Sequence, residues 1–340
     1  MKKNSFTTLV IGDIHFHEKK PIEGYEYIDK IVNIASHYKP TIIILLGDIL
    51  HTHSHVEVPA YKQADKLIDC LSEISPVYIL MGNHDLINRE QFLTDNHIFI
   101  TMRKWPNVVI VDKAMILEIK ERSFVFIPYV PPGRFIEALN TLIKDDYTWE
   151  LSDCIFAHQE FRKCRKAKGL LSNIGDEWNE DYPIVISGHE HEPHCVGKNI
   201  YYPGASSIMA FEGDLEGQSQ PKKVWLVNWD EYRDDDKFIS CVKKIDIGIK
   251  PKKILNLTID EVNNYGSKKV LNMINNNEYQ NAILVNCYNS QANAFRKGKI
   301  YSELSLQNVK IQCKSITKED ELKNSTNNEN TLLNKKSGSY

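Results

Sequence analysis

Five apolar segments of this 340-residue chain each end in Asp, Asn or His, the residue types that bind metal ions and transfer protons. The clearest is the segment 41–51, TIIILLGDILH, in which a run of β-forming residues ends at Gly47 and Asp48. A carboxylate at the end of a buried strand is costly unless a positive charge neutralises it. The segment therefore predicts a strand that carries a functional carboxylate.

The other four segments have the same form, an apolar run followed by polar residues that can bind metal: Asp13 and His15 after 9–12, Asn83, His84 and Asp85 after 77–82, His158 after 154–157, and His189 and His191 after 184–188. The carboxyl ends of parallel strands lie at the same edge of a sheet. We therefore expect these side chains to form one site.

The candidate residues match what a pair of divalent cations requires. Such a pair needs several oxygen or imidazole ligands on each ion, one carboxylate between the ions, and open positions for a phosphate oxygen and a water. Asp48 is placed to be the shared carboxylate. The remaining candidates supply carboxylate, amide and imidazole ligands: Asp13, His15, Asn83, His158, His189 and His191.

The elements that must position these residues follow from hydrophobic periodicity. Helical spacing at 25–38 and 61–74 alternates with the strands of the first hundred residues, which predicts an α/β fold with a largely parallel sheet. Shorter strands then follow at 108–111, 114–119 and 124–127, with closing strands at 201–207, 224–229 and 238–245. They predict a second sheet packed on the first, with helices outside both.

The chain divides into three regions. Residues 1–250 form the predicted catalytic domain. Residues 251–317 contain strands at 254–259, 282–287 and 309–313 and a helix at 260–274, enough for a small α+β module. Residues 318–340 are poor in apolar side chains, so we expect them to be disordered.

Composition limits the class of protein. Lys and Arg number 42 against 45 Asp and Glu, so the net charge of −3 does not indicate a polyanion partner by itself. Seven cysteines without C-x-x-C spacing favour a reducing compartment. The chain has neither a signal-peptide pattern nor an apolar run of membrane-spanning length. We expect an intracellular protein that is neither secreted nor membrane-bound.

The motifs resemble those of the calcineurin-like metallophosphoesterases, in the same order and with similar spacing: Asp13-Ile-His15, Gly47-Asp48, Gly82-Asn-His-Asp85, His158 and Gly188-His-Glu-His191. The resemblance implies a four-layer sandwich of two mixed sheets flanked by helices. It also implies one metal held by Asp13, His15, Asp48 and His191, and a second held by Asp48, Asn83, His158 and His189. His84 would stabilise the transition state or protonate the leaving oxygen.

Departures within the motifs favour one branch of that family. The serine/threonine phosphatases read GDxVDRG, with an Arg that grips a phosphomonoester, whereas residues 47–53 here read GDILHTH. Four segments resemble motifs of the SbcD-type DNA nucleases: GDILHTH at 47–53, GNHD at 82–85, IPYV at 127–130 and YPGA at 202–205. HQEF at 158–161 is similar to phage and viral members. In that group the residue matching His51 helps to handle the DNA strand, and the short C-terminal module is a cap over the DNA groove.

A basic segment directly follows the candidate ligand His158. It contains five cations that could contact a DNA backbone, although a solvated loop would have the same composition: Arg162, Lys163, Arg165, Lys166 and Lys168. His53 and His55 share a loop with His51 and are expected to be surface or hydrogen-bonded filler residues, with a supporting role at the site as the alternative. Asp85 is expected to brace its loop rather than bind metal.

The sequence thus predicts a two-metal phosphodiesterase, an SbcD-like exonuclease and endonuclease of DNA repair or recombination. The resemblance implies Mn²⁺, with Mg²⁺, Fe²⁺ or Zn²⁺ as alternatives. It also implies an SbcC-type coiled-coil ATPase partner and a homodimer, in which the helix at 61–74 could form the contact between subunits. Two alternatives stay open. One is a stand-alone diesterase of cyclic or small nucleotides, and the other is a non-catalytic DNA-binding scaffold.

Overall fold

The computed structural model describes residues 5–143, 148–166, 170–208, 221–232, 238–250, 252–274, 280–287, 289–305 and 310–315. The chain separates into two units: Met1–Glu212 with Pro221–Ile249, and Gly213–Gln220 with Lys250–Tyr340. Within the described ranges, no helix is both long enough and apolar enough to cross a membrane.

The first sheet contains the strand that ends at Asp48. Its elements are β1 (Thr7–Ile11), α1 (Pro21–Tyr38), β2 (Ile42–Leu45), α2 (Val58–Ser72), β3 (Val77–Leu80) and β4 (Val108–Val111). Strands β1 to β4 are parallel neighbours in chain order. Helix α1 buries Tyr27, Ile31 and Ala35 at helical spacing, and it ends where Lys39 adopts a left-handed conformation before Pro40.

The second sheet contains the strands that end at the candidate histidines. Its strands are β5 (Met115–Ile119), β6 (Arg122–Ile127), β7 (Cys154–His158), β8 (Ile184–Gly188), β9 (His194–Val196) and β10 (Ile200–Tyr202), in the spatial order β5-β6-β7-β8-β10-β9. Strands β6, β7, β8 and β10 are parallel, while β5 and β9 pair antiparallel at the edges. Helix α3 (Phe135–Asn140) packs on this sheet through the buried Phe135, Ala138 and Leu139.

Two of the predicted closing strands differ from the structure. Strand β11 (Lys223–Asn228) pairs antiparallel to β1, and β12 (Val242–Asp246) pairs antiparallel to β11 and completes the first sheet. The strand predicted at 238–245 begins only at Val242, because a 3-10 turn before it buries Phe238 and Cys241. The strand predicted at 201–207 ends at Tyr202, because Gly204 turns the chain (φ 82°) and Ser206 then donates to the carbonyl oxygen of Asp13.

Both sheets bury their facing surfaces in a shared core. Val10, Ile44 and Leu80 from the first sheet pack in one cluster with Phe124 and Phe156 from the second. A sheet covered on both faces requires apolar side chains at successive positions, which explains the unbroken run at 42–46. The predicted α/β architecture of two mixed sheets flanked by helices is confirmed.

The second unit has a separate small core. Strands β13 (Lys252–Thr258), β14 (Gln280–Cys287) and β15 (Lys310–Ser315) form a parallel three-stranded sheet with helices α4 (Ile259–Ile274), α5 (Asn289–Arg296) and α6 (Lys299–Ser305). Helix α4 is kinked at Gly266, which has a φ of 68°. The strands and helix predicted for this module are confirmed, while residues 318–340 lie outside the described ranges.

Candidate metal centre

The predicted metal ligands lie at the carboxyl ends of strands from both sheets. The first sheet supplies Asp13 after β1, Asp48 after β2 and Asn83 after β3. The second sheet supplies His158 at the end of β7, and His189 and His191 after β8. All of these side chains except His189 and His191 are buried, so the sheets bring polar groups into a largely enclosed volume.

The backbone at three of these residues is unusual. His15, Asp48 and His189 have φ values of 56°, 50° and 82°, in the left-handed region that costs non-glycine residues about 1–3 kcal/mol each. The carbonyl oxygen of Asp48 accepts hydrogen bonds from the backbone nitrogens of Ile14 and His15, at 3.1 and 2.9 Å. These bonds hold the first two loops in the conformation that turns their side chains toward the site.

The first donor set consists of Asp13, His15, His191 and one oxygen of Asp48. The Nε2 atoms of His15 and His191 are 3.0 Å apart. Oδ2 of Asp48 lies 3.7 Å from Nε2 of His15, and Oδ2 of Asp13 lies 3.6 Å from Nε2 of His191. Two imidazoles and two carboxylates thus converge on one small volume, a set that suits a divalent transition metal.

The second donor set shares Asp48 with the first. Nε2 of His158 lies 3.4 Å from Oδ1 of Asp48 and 3.2 Å from Oδ1 of Asn83. The Asn83 oxygen is also 2.7 Å from Nδ1 of His189. The two oxygens of Asp48 therefore face different donor sets, one arrangement in which a carboxylate can bridge two ions.

Glycines at the edges of the site permit its close packing. A Cβ atom on Gly82 would lie 2.3 Å from Oδ1 of Asp48, and one on Gly188 would lie 2.7 Å from Oδ1 of Asp13. Real Cβ atoms do not approach other atoms so closely. Each glycine therefore leaves space that its neighbouring carboxylate occupies.

The pKa values show the electrostatic cost of this burial. Burial raises the pKa of Asp13 to about 8. Burial would also raise the pKa of Asp48, but His158 outweighs it and holds that pKa well below the usual value. Burial lowers the pKa of His15 well below the usual value and that of His191 to about 4, so both imidazoles have lone pairs available near neutral pH. The neutral imidazoles of His15 and His191 and the ionised carboxylate of Asp48 are donors that fit a bound cation.

His84 borders both donor sets. Its backbone nitrogen donates to Oδ1 of Asp48 at 2.8 Å, and its ring lies edge-on to that of His15 with 4.8 Å between centroids. Nδ1 of His84 is 2.6 Å from the carbonyl oxygen of His51. A proton on Nδ1 would donate to that oxygen, which leaves Nε2 as the nitrogen available to a substrate.

The family follows from comparison with known proteins. The Calcineurin-like phosphoesterase family model matches residues 6–193, more than half of the chain. The chain belongs to this family. A presumptive phosphoesterase of Invertebrate iridescent virus 6, 244L, is 36% identical over 256 residues, which cover 74% of this chain and 86% of that protein. Its counterpart in Invertebrate iridescent virus 3, 078R, is 37% identical over 215 residues, or 63% of this chain and 61% of that protein.

Solved structures show more distant likenesses. YfcE, a phosphoesterase from E. coli, is 13% identical with a TM-score of 0.35, over 66% of this chain and 90% of that protein. GAP50, the anchor in the inner membrane complex of Plasmodium, is 14% identical with a TM-score of 0.36, over 72% of this chain and 90% of that protein. Calcineurin-like phosphoesterases use divalent metals, and the two donor sets of this family member fit that requirement.

Asp85 braces the metal centre of this phosphoesterase, as its sequence position suggests. Its buried carboxylate accepts hydrogen bonds from the backbone nitrogens of Ile49, Leu50 and Gly82, at 3.0 to 3.1 Å. These bonds connect the loops after β2 and β3. Burial, followed by the nearby Asp48 charge, raises the pKa of Asp85 to about 7.

The basic segment is only partly available to a substrate. Arg162 pairs with Glu177, and Nζ of Lys166 lies 2.6 Å from Oε1 of Glu160. Lys163 and Arg165 are exposed. The fifth predicted cation, Lys168, lies outside the described residues.

Sequence reasoning missed two residues beside the site. His53, expected to be a surface residue, stacks on His84. Glu160 is buried and places Oε2 at 3.7 Å from Nε2 of His189. The sequence spacing could have predicted Glu160, because it lies two residues after His158 and so on the same side of an extended segment.

Proposed function

We propose that this phosphoesterase is a two-metal phosphodiesterase that hydrolyses DNA, as SbcD-type nucleases do, with Mn²⁺ as its working ion. Divalent cations in the two donor sets would supply Lewis-acid activation of the phosphate and of the attacking water. The donor residues would be Asp13, His15, His191 and Asp48 for one ion, and Asp48, Asn83, His158 and His189 for the other.

The position of His84 carries the proposal. A diester in the site would have a leaving alkoxide that needs a proton, and the Nε2 atom of His84 is the imidazole nitrogen that its backbone anchor leaves available. His51 lies on the same side, with its ring 5.9 Å from that of His84 and nearly parallel to it. Residue 52 is Thr, at the position where the phosphomonoesterase motif has its Arg.

The test is digestion of end-labelled single- and double-stranded DNA with Mn²⁺, with wild type beside His84→Ala and Asp48→Ala. We expect the wild type to shorten DNA and both variants to lose about 100-fold or more of that rate. Intact DNA together with hydrolysis of bis(p-nitrophenyl) phosphate would instead indicate a diesterase of cyclic or small nucleotides. A wild type that hydrolyses neither DNA nor bis(p-nitrophenyl) phosphate would indicate a DNA-binding scaffold.

The proposal includes an SbcC-type coiled-coil ATPase that opens duplex DNA, and a role in repair or recombination. The separate unit after residue 250 is the candidate cap, and its presence supports the resemblance to SbcD-type nucleases. A chain that depends on such a partner should cleave single strands by itself and leave blunt duplexes largely intact. Rapid degradation of blunt duplexes by the purified chain would contradict the need for this partner.

A further inference from the structure

A second group of possible metal ligands lies beside the metal centre and is called here the three-imidazole set. It consists of His15, His51 and His84, each of which places a ring nitrogen within 4.8 Å of the other two. The ring centroids are 4.8 to 5.9 Å apart, and the His15 ring is edge-on to the other two rings. Three imidazoles and one open position form a common zinc site, whereas each donor set of the metal centre contains only two imidazoles.

A backbone contact decides which nitrogen His84 offers to a ligand. Its Nδ1 is 2.6 Å from the carbonyl oxygen of His51, so a proton on Nδ1 donates to that oxygen and Nε2 keeps its lone pair. The same lone pair is the one through which His84 would hold a proton for the leaving oxygen. A cation bound to Nε2 and a proton for the leaving oxygen therefore exclude each other.

A fourth imidazole holds the ring of His51 in place. The His17 ring stacks on it, with 4.7 Å between centroids and 21° between planes. Nδ1 of His17 lies 3.3 Å from Oε2 of Glu57, and that oxygen also accepts a hydrogen bond from the backbone nitrogen of Glu18 at 2.9 Å. The position of His51 is thus fixed by residues that are not themselves ligands, as is usual around a metal site.

His15 lacks a contact that metal-binding histidines normally have. A histidine that binds a metal through one ring nitrogen usually donates the N–H of the other to a carboxylate or carbonyl oxygen. Nδ1 of His15 is buried and has no hydrogen-bond partner among the described residues. The ring is therefore not held to the first donor set through its second nitrogen, and it is a member of both groups of possible ligands.

The three-imidazole set is accessible from one side. His15 is buried, while His51 and His84 are each partly exposed. The exposed side gives an ion an entry path, and it lets a water molecule complete a tetrahedral coordination shell.

We propose that the three-imidazole set binds Zn²⁺ and that the bound Zn²⁺ inhibits the phosphoesterase. Imidazole ligands suit Zn²⁺, whereas donor sets rich in carboxylate oxygens also suit Mn²⁺. Zn²⁺ in this set takes His15 from the first donor set and occupies Nε2 of His84. The inhibition rests on the proposed function, while the zinc site itself does not.

The first experiment titrates the metal-free protein with Co²⁺, which binds at zinc sites and absorbs visible light strongly only in tetrahedral coordination. Wild type should develop an intense band. His51→Ala should lose it, although the first donor set stays whole. His191→Ala should keep it, because only the first donor set loses a ligand. His55→Ala is the matched control, since His55 is exposed on the same loop as His51.

A second pair of variants leaves all three imidazoles in place. His17→Ala removes only the ring that stacks on His51, and it should weaken Zn²⁺ binding by about tenfold. His17→Phe keeps a stacked ring and should restore most of the affinity. Competition with a chromogenic zinc chelator measures both values, and thermal unfolding in EDTA checks that each variant is folded.

The third measurement is the inhibition of bis(p-nitrophenyl) phosphate hydrolysis by Zn²⁺ in the presence of Mn²⁺. Each protein is compared with its own rate without Zn²⁺, so a change in the basal rate does not affect the result. The Zn²⁺ concentration that halves the rate should rise by about 100-fold in His51→Ala and by about tenfold in His17→Ala.

Four results would overturn the inference: an unchanged cobalt band in His51→Ala, a lost band in His191→Ala, no inhibition of wild type by Zn²⁺, or inhibition of wild type and His51→Ala at the same Zn²⁺ concentration. The last result would place the inhibitory ion in the two donor sets of the metal centre. A wild type that shows the band dependent on His51 but hydrolyses no phosphodiester would overturn the proposed function and leave the zinc site in place.

Discussion

The imidazole of His53 lies nearly parallel to that of His84, with 4.0 Å between ring centroids and 25° between planes. Nδ1 of His53 is 2.8 Å from the carbonyl oxygen of Asn83, and Nδ1 of His84 is 2.6 Å from that of His51. Each histidine thus contacts the backbone of the other's loop. The pair connects the loops after β2 and β3 and fixes the plane of the His84 ring.

We expect His53→Ala to slow DNA cleavage by about tenfold through misplacement of His84. The effect on bis(p-nitrophenyl) phosphate should be smaller, because p-nitrophenolate leaves without a proton. His53→Phe should recover most of the DNA rate, since it keeps the stacked ring. Measured kcat values for both substrates test this, and His55→Ala is the control because His55 is exposed on the same loop. Equal losses on the two substrates would contradict a role through His84.

Metal content should follow the division of ligands between the two donor sets. Wild type should bind two Mn²⁺ ions, His191→Ala and His189→Ala should each bind about one, and Asp48→Asn should bind almost none because Asp48 faces both sets. Titration calorimetry and elemental analysis give these stoichiometries. His37→Ala, at an exposed position on α1, should keep both ions. Two ions in Asp48→Asn would show that Asp48 does not bridge.

Asp85→Ala should lower the free energy of unfolding by about 3 kcal/mol, because it leaves three buried backbone nitrogens without their acceptor. Asp85→Asn should cost less, since its amide keeps one acceptor oxygen. Urea denaturation of the metal-free proteins measures both losses. Wild-type stability in Asp85→Ala would contradict the bracing role.

The stability of the metal-free protein should fall between about pH 7.5 and 9. Burial raises the pKa of Asp13 to about 8. Burial would lower the pKa of His158, but Asp48 outweighs it and raises that pKa to about 9. Both groups hold a proton in the folded state that the unfolded chain has largely released by about pH 7.5, so rising pH then favours unfolding. The histidines with lowered pKa are neutral in both states over this window.

Thermal unfolding with EDTA should therefore give a Tm a few degrees lower at about pH 8.5 than at about pH 7.5. With Mn²⁺ the trend should reverse, because a cation replaces the protons and binds the deprotonated ligands more tightly at higher pH. A Tm that rises with pH in EDTA would contradict these pKa values.

The sequence indicated the candidate metal ligands because each follows an apolar run. The run at 42–46 marks a buried strand, and Gly47 marks its end, so Asp48 could be placed without the structure. His158 and His189 could be placed in the same way, because each also follows an apolar run. Contacts between distant segments carry no such pattern.

Those distant contacts account for what the sequence did not predict. The stacking of His53 on His84 depends on the register of two loops about 30 residues apart. The segment after Phe161 is polar overall and shows no strand alternation, so the antiparallel pairing of Arg165 with Leu171 was not predicted. Its inward residues are Cys164 and Ser172, which look like any small residues of a loop. The ion pair of Arg162 with Glu177 likewise joins residues 15 positions apart.

The division of the metal ligands between two sheets has a consequence for how the molecule folds. Asp13, Asp48 and Asn83 belong to one sheet, and His158, His189 and His191 to the other. Neither sheet alone contains a complete donor set, so a cation can bind with full affinity only after the sheets have docked. If these residues hold the metal, its binding would follow the packing of the two sheets and would then join them.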